Sequence, residues 1–134
     1  MSFRFLLDTN IVSQIVHHPS GVVSQRIERA GQATVATSII VVAELRFGVR
    51  KKGSLKLADQ LETVLGALPV LAFERPADDA YAVVRAALEA AGTPISANDT
   101  LIGAHALALG LILVTDNVRE FARIPGLKVE NWLR

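Results

Sequence analysis

The chain lacks cysteine, has few aromatic residues and has almost no net charge. Without cysteine it can form neither disulfide bonds nor thiolate metal sites, which is compatible with a reducing compartment such as the cytoplasm. Only 5% of its 134 residues are aromatic, which argues against a surface for stacking bases. The 14 basic and 13 acidic residues give a net charge of +1, so any nucleic-acid binding must depend on local patches. Hydrophobic residues make up 51% of the chain, which is typical of α/β packing. The length suits a single domain over residues 1–134.

No hydrophobic segment predicts a signal peptide or a membrane span. Residues 3–7 are too few for a signal-peptide core, and Asp8 follows them directly. The uncharged stretch 100–115 is interrupted by Gly103 and Gly110, which favours a helix, a turn and a buried strand over a span. A glycine-rich phosphate loop and an HExxH motif are also missing. Because neither hydrophobic segment suits a signal peptide or a membrane span, we expect no membrane partner.

Strand-like segments alternate with helical patterns, which predicts an α/β fold with a mainly parallel sheet. Segment 38–49 is rich in β-branched residues, but its apolar positions continue through Leu45 and Val49, so we interpret it as a helix capped by Ser38. Strands are expected at 3–7, 33–37, 69–73, 111–114 and, at an edge, 127–129. Helices are expected at 11–16, 20–30 with Ser20 as cap, 38–49, 55–67, 77–91 and 97–109, with a short turn or helix at 119–122.

The segment 95–117 places two carboxylates at the ends of secondary-structure elements. Ser96 or Asn98 can cap a helix that ends at Gly110, so Asp99 lies at the helix start. The apolar run after Gly110 predicts a buried strand, and Asp116 follows that strand. Ligands of parallel α/β sheets bind at the carboxyl ends of the strands.

Two further acids are expected near the same edge. Asp8 ends the first strand, and parallel strands place it beside Asp116. Glu44 lies in an otherwise apolar run, where a charge is costly unless it is paired, bound to a metal or open to solvent. Four acids without a matching buried lysine would repel one another, and a divalent cation would relieve that repulsion. Oxygen ligands without cysteine favour Mg²⁺ or Mn²⁺ over zinc.

Each of these residues also has a purely structural interpretation. Asp99 matches a loose capping box with Ser96, and Asp8 can form an Asx turn after its strand. Glu44 can extend its carboxylate to solvent from a helix surface. Asp116 and the residue after it can form a turn. The combination of all four positions favours a metal site over these separate explanations.

The histidines are not expected to join the acidic site. His105 is six residues after Asp99, which turns it away from that face of the helix, so we interpret it as a packed or surface residue. His17 and His18 precede Pro19 and are predicted to lie in a loop.

Several motifs together resemble the PIN-domain ribonucleases, and more narrowly the VapC toxins of bacterial VapBC toxin–antitoxin modules. The resemblance covers essentially the whole chain in the family's order. The segments that show it are Leu7–Ile11 (LDTNI), Ser38 with Ala43–Leu45, Ala97–Ile102 (ANDTLI) with Ala104–Ala106, Leu113–Phe121 (LVTDNVREF) and Pro125–Trp132.

The resemblance implies a three-layer α/β/α sandwich and an endoribonuclease that depends on Mg²⁺, with Mn²⁺ as a substitute. It also implies the site residues, with Asp8 and Asp99 as the direct metal ligands. In many PIN domains the fourth acid stands two residues after the threonine, where this chain has Asn117, so Asp116 would line the site less directly. The implied catalytic acids are Asp8, Glu44, Asp99 and Asp116. The implied supporting side chains are Thr9, Asn10, Ser38, Thr115 and Asn117.

The same resemblance implies a VapB-like antitoxin as partner, a homodimer, and a structured RNA as substrate, with initiator tRNA as the first choice. Basic residues that follow Glu44 are candidates for holding RNA phosphates, although a solvated helix end explains them equally well. These residues are Arg46, Arg50, Lys51, Lys52 and Lys56.

Three other functions are open to the same motifs. A haloacid-dehalogenase-type phosphatase also begins with Asp8 after strand one, but its second aspartate would fall at Asn10. A receiver domain needs an acidic pair near the first strand end, where Asp8 stands alone. A degenerate PIN domain would bind RNA or a partner without cleaving, but this chain retains the three acids Asp8, Glu44 and Asp99.

Overall fold

The fold is centred on a five-stranded sheet, as described for residues 2–134 in a computed structural model. All strand pairs are parallel, and the order across the sheet is β3-β2-β1-β4-β5. The strands are β1 (Phe5–Leu7), β2 (Val35–Ser38), β3 (Val70–Leu71), β4 (Ile112–Val114) and β5 (Val129–Glu130). The helices are α1 (Thr9–His17), α2 (Val22–Ala30), α3 (Ile39–Lys52), α4 (Leu55–Ala67), α5 (Ala77–Ala90), α6 (Ala97–Leu109) and α7 (Val118–Phe121).

The central strand β1 fixes the carboxyl edge of the sheet. Leu7 lies opposite Thr37 of β2 on one side and Val114 of β4 on the other. The chain leaves these strands through Asp8 and Thr115, both of which are buried. The predicted meeting of the first and fourth strand ends is therefore confirmed.

Serine caps and glycine ends explain where the central helices start and stop. The hydroxyl of Ser38 accepts the backbone N–H of Ile40 at the start of α3, and Gly53 ends that helix in the left-handed conformation. Ser96 caps α6 by accepting the N–H of Asp99, and Gly110 ends it in the same conformation as Gly53. The helical interpretation of segment 38–49 is thus confirmed.

Several predicted boundaries are wrong by a few residues. Ser20 does not cap α2, because Gly21 occupies the cap position and makes no side-chain bond. The first residues of predicted strand 33–37 form a 3-10 turn at Gln32–Thr34. His17 is the last residue of α1 and does not lie in a loop.

The terminal segment packs back on the sheet. Trp132 is buried and contacts Phe5 edge-on, with ring centroids 4.9 Å apart. Its indole N–H donates to Glu130, which fixes the chain just beyond β5. None of the helices in residues 2–134 has the length and apolar character that crossing a bilayer requires.

Candidate active site

Asp8 is held at the sheet edge by the neighbouring strand. Its backbone N–H donates to Val114 at 2.9 Å, and its Oδ2 accepts the Thr115 hydroxyl at 2.7 Å. The Thr115 hydroxyl in turn accepts the backbone N–H of Asn117 at 2.9 Å. One carboxylate oxygen of Asp8 is thus fixed by β4 and the turn that follows it.

Glu44 is oriented by residues from two other helices. Thr9 of α1 donates its hydroxyl to Oε1, and Asn98 of α6 donates its amide to Oε2 at 3.1 Å. These bonds connect α1, α3 and α6 through one carboxylate. A side chain that only extends into solvent needs no such partners, so these bonds favour a functional interpretation of Glu44.

Asp99 is not needed as a helix cap. Ser96 fills that role, and Asn98 uses its amide on Glu44. Burial raises the pKa of Asp99 to about 6, with the negative charge of Asp8 as the next cause. Glu44 and Glu120 add smaller contributions in the same direction, whereas a hydrogen bond with Ser96 opposes them.

The pKa of Asp8 is also raised, mainly by burial, with a contribution from the charge of Glu44. Hydrogen bonds from Thr115 and from Thr9 oppose this shift. A buried and a half-buried carboxyl whose pKa values are raised by burial and by neighbouring negative charge form the kind of site that a cation stabilises.

The donor set suits a cation that keeps water or substrate among its ligands better than a metal that needs a complete protein cage. No three carboxylate or imidazole side chains in residues 2–134 are close enough to surround one ion. Mg²⁺ commonly binds through one or two carboxylates and keeps water or substrate phosphate as its other ligands. Asp8 and Asp99 can supply such a pair, because they lie close enough for the charge of Asp8 to raise the pKa of Asp99.

These acids lie in a cavity of about 440 Å³ between α1, α3 and α4. Asp8, Glu44 and Asp99 line it, together with the predicted supporting residues Thr9, Asn10 and Asn117. Most of the remaining lining is aliphatic.

Asp116 does not line this cavity, and its carboxylate contacts the C-terminal segment instead. Its Oδ1 accepts the Asn131 amide at 3.0 Å and lies 3.8 Å from the Arg134 guanidinium. Its backbone N–H approaches Asn10 Oδ1 at 3.4 Å. The structure therefore places Asn117 on the cavity and joins Asp116 to the C-terminal segment.

Ser38 and most of the basic residues also lie outside the cavity. Ser38 is buried, and its hydroxyl lies 2.9 Å from Nδ1 of His105. His105 is packed edge-on against Phe73, as its position in the helix predicts, and burial lowers its pKa. Arg46 forms a bidentate pair with Glu62, so its charge is already compensated. Of the basic residues predicted to hold phosphates, Lys52 lines the cavity.

The sequence interpretation missed Glu120 and the second role of Asn98. Glu120 lies in the first turn of α7, close enough to raise the pKa of Asp99. The available signal was an acid four residues after Asp116, in a segment interpreted only as a turn or short helix. Asn98 was considered as a cap, and nothing in the sequence indicates its contact with Glu44.

Comparisons with known proteins agree with this arrangement. The PIN domain family model matches residues 5–127. The chain is 40% identical to "Ribonuclease VapC2" of Rickettsia felis, covering 96% of this chain and 97% of the relative. It is 34% identical to "tRNA(fMet)-specific endonuclease VapC" of Salmonella typhimurium, covering 96% and 98%.

Solved structures give the same result. The VapBC2 complex of Rickettsia felis, bound to a promoter DNA fragment, matches with a TM-score of 0.88 at 34% identity, covering 98% of this chain and 99% of that one. The DNA-bound VapBC complex of Salmonella typhimurium matches with a TM-score of 0.86 at 34% identity, covering 97% and 98%. The chain therefore belongs to the PIN-domain family and, within it, to the VapC ribonucleases. The predicted fold class is confirmed, and the phosphatase and receiver-domain alternatives are excluded.

Proposed function

We propose that this protein is the toxin of a type II toxin–antitoxin pair and acts as a Mg²⁺-dependent endoribonuclease, with Mn²⁺ able to substitute. The observation that supports it most is the convergence of Asp8, Glu44 and Asp99, from three different elements, on one cavity at the sheet edge. The raised pKa values of Asp8 and Asp99 add an electrostatic reason for a cation there.

In this proposal Asp8 and Asp99 hold the cation, and Thr115 orients Asp8. Glu44 is oriented by Thr9 and Asn98, so that it can accept a proton or a hydrogen bond at the reacting centre. A bound divalent cation would supply Lewis acidity and neutralise the charge that develops on the phosphodiester.

The partners follow from the relatives. VapBC complexes from Rickettsia felis and Salmonella typhimurium pair a VapC protein with its antitoxin on DNA. We propose a VapB-like antitoxin for this chain as well, and a homodimer as its own assembly. The relative named for tRNA(fMet) supports initiator tRNA as the substrate, which would place the activity in the cytoplasm.

The test of the metal site is RNA cleavage with and without Mg²⁺, for wild type, Asp8→Asn and Asp99→Asn. Both variants should lose cleavage while keeping the fold, because neither carboxylate caps its helix and asparagine at position 8 still offers an oxygen to the Thr115 hydroxyl. Mg²⁺ should also raise the wild-type melting temperature, and less so in either variant.

A matched control is available on another helix. Asp79 is the third residue of α5, as Asp99 is of α6, but Asp79 is exposed. Asp79→Asn should cleave RNA normally. If Asp99→Asn cleaves as fast as Asp79→Asn, the metal-site assignment is refuted.

Sequencing of RNA 5′ ends after induction tests the substrate. We expect cuts concentrated in the anticodon loop of initiator tRNA, and cuts scattered over messenger RNAs would contradict that choice.

A further inference from the structure

The cavity that contains the acids extends well beyond them. Its volume of about 440 Å³ falls within the range of about 300–1,000 Å³ that is typical of small-ligand sites. The proposed metal chemistry uses only the part near Asp8, Glu44 and Asp99. The rest of the cavity has no role in that chemistry.

Two helices line the cavity as they run away from the acids. α1 contributes residues from Thr9 at its start to Val16 and His17 at its end. α3 contributes residues from Glu44 to Lys52, and these two lie eight positions apart, or about 12 Å along the helix. The lining therefore changes along the cavity from carboxylates, through aliphatic side chains, to a lysine.

We propose that this aliphatic part binds one unstacked nucleobase of the RNA, next to the phosphodiester that is cleaved. The inference rests on the proposed ribonuclease function, because a phosphate at the acids brings its neighbouring nucleotide to the cavity. The aliphatic surface comes from Val16, Leu45, Val49, Leu57 and Leu61.

The chemistry of the lining matches one nucleotide unit. Aliphatic side chains can pack against both faces of a base that has been turned out of its stack. Lys52 at the distal end can attract the next phosphate, whereas the acids would repel a phosphate that no cation shields. No phenylalanine, tyrosine or tryptophan lines the cavity among residues 2–134, so the base is held by packing without aromatic stacking.

The proposed site limits the substrate. A base in a double helix is stacked and paired, so it cannot enter the cavity without being extruded. Cleavage should therefore occur in single-stranded loops, beside a base that is free to leave the stack.

Gly48 offers a way to fill the cavity without disturbing the fold. It lines the cavity from within α3, and a Cβ atom built on it meets no atom within 4 Å. Gly66 of α4 is the matched control, since its Cβ also meets no atom within 4 Å but it lines a different groove. Both Gly48→Leu and Gly66→Leu should fold and should stabilise their helices.

The assay uses a stem-loop RNA with the anticodon arm of initiator tRNA, intact or with one base beside the cut removed. For wild type, removing the bound base should reduce kcat/KM by about tenfold, because its apolar surface is no longer buried against the aliphatic lining. Gly48→Leu should raise KM for the intact RNA by a similar factor, with no further loss on the abasic RNA. Its Mg²⁺-induced melting shift and the behaviour of Gly66→Leu should match wild type.

Three results would overturn the proposal in distinguishable ways. Equal cleavage of intact and abasic RNAs by wild type would exclude a base-binding site. Normal cleavage by Gly48→Leu, together with loss of inhibition by the antitoxin, would show that the cavity belongs to the partner protein. Absence of cleavage by wild type with Mg²⁺ or Mn²⁺ would refute the ribonuclease function itself.

Discussion

Asp99 is a carboxyl that folding removes from water and places near other negative charges. Its pKa rises from the usual 3.8 to about 6, mainly through burial and then through Asp8. The native state therefore binds this proton more tightly than the unfolded chain. The free energy of unfolding should increase as the pH falls from above 6 towards 4. Asp8, whose pKa is also raised, contributes in the same direction.

We expect the metal-free protein to melt at a higher temperature at pH 5 than at pH 7. Asp99→Asn should reduce this difference, because asparagine has no proton to gain. Asp79→Asn should keep the full difference in melting temperature, so it serves as the control for the general effect of acid on the molecule. Scanning calorimetry in a chelating buffer measures all three proteins. If Asp99→Asn shows the full wild-type difference, its carboxyl is not the source of the pH dependence.

A second residue-scale prediction concerns Asp116. Its carboxylate accepts from Asn131 and lies near the exposed Arg134, outside the cavity. Asp116→Asn keeps an acceptor oxygen for Asn131 and loses an exposed ion pair, so the free energy of unfolding should fall by less than about 1 kcal/mol. RNA cleavage and the Mg²⁺-induced melting shift should remain close to wild type. A loss of cleavage as complete as that of Asp8→Asn would instead make Asp116 a metal ligand.

At the scale of elements, close packing of α6 against α7 depends on Gly103. A Cβ atom there would lie 2.4 Å from Cδ1 of Ile124 and 3.4 Å from Cδ1 of Phe121, both of which are buried. α6 contains Asp99, and α7 contains Glu120. The absence of a side chain at this glycine thus lets two acid-bearing helices approach each other.

Gly103→Ala should therefore lower the free energy of unfolding by about 1–2 kcal/mol, because the clash outweighs the helix propensity gained. Gly66→Ala, in open space within α4, should instead raise it by up to about 1 kcal/mol. Urea denaturation of both variants provides the comparison. A stabilisation of the same size at both glycines would show that Ile124 moves aside without cost.

The sequence predicted elements best where local chemistry determines them. Ser38 caps its helix through a single hydrogen bond and Gly110 ends its helix in a left-handed conformation, and the sequence predicts both. The edge strand at 69–73 was predicted too long. Only Val70 and Leu71 pair with β2, and Phe73 has left the sheet to pack against His105.

In the candidate site, too, the sequence predicts what local chemistry determines and misses what tertiary packing determines. Parallel strands predict that Asp8 and Asp116 share one edge of the sheet, and Asp99 is expected at a helix start that can face the same edge. The direction of Asp116 depends on Asn131 and Arg134, which reach it only through the packing of the C-terminal segment. The proximity of Glu120 to Asp99 likewise arises from tertiary packing and has no sequence pattern.

At the scale of the whole molecule, several large apolar side chains remain exposed on α3, α4 and α5. Phe47 is 68% exposed, Leu55 84% and Val83 62%. Where exposed apolar side chains such as these form one patch, the patch often marks a protein–protein contact. Both a homodimer and an antitoxin would cover such residues, and the homodimer stays a prediction that sedimentation equilibrium can test.

The last prediction concerns the protein in a cell. Expressed alone in bacteria, the wild-type chain should arrest growth, because cleavage of an RNA needed for initiation stops translation. Co-expression of the neighbouring antitoxin should restore growth. Asp8→Asn should permit growth at the same expression level, since it loses a proposed metal ligand. Growth curves with matched immunoblots measure this, and affinity capture shows whether Asp8→Asn still binds the antitoxin. Arrest by Asp8→Asn would separate toxicity from RNA cleavage, whereas normal growth with abundant wild type would exclude a toxin.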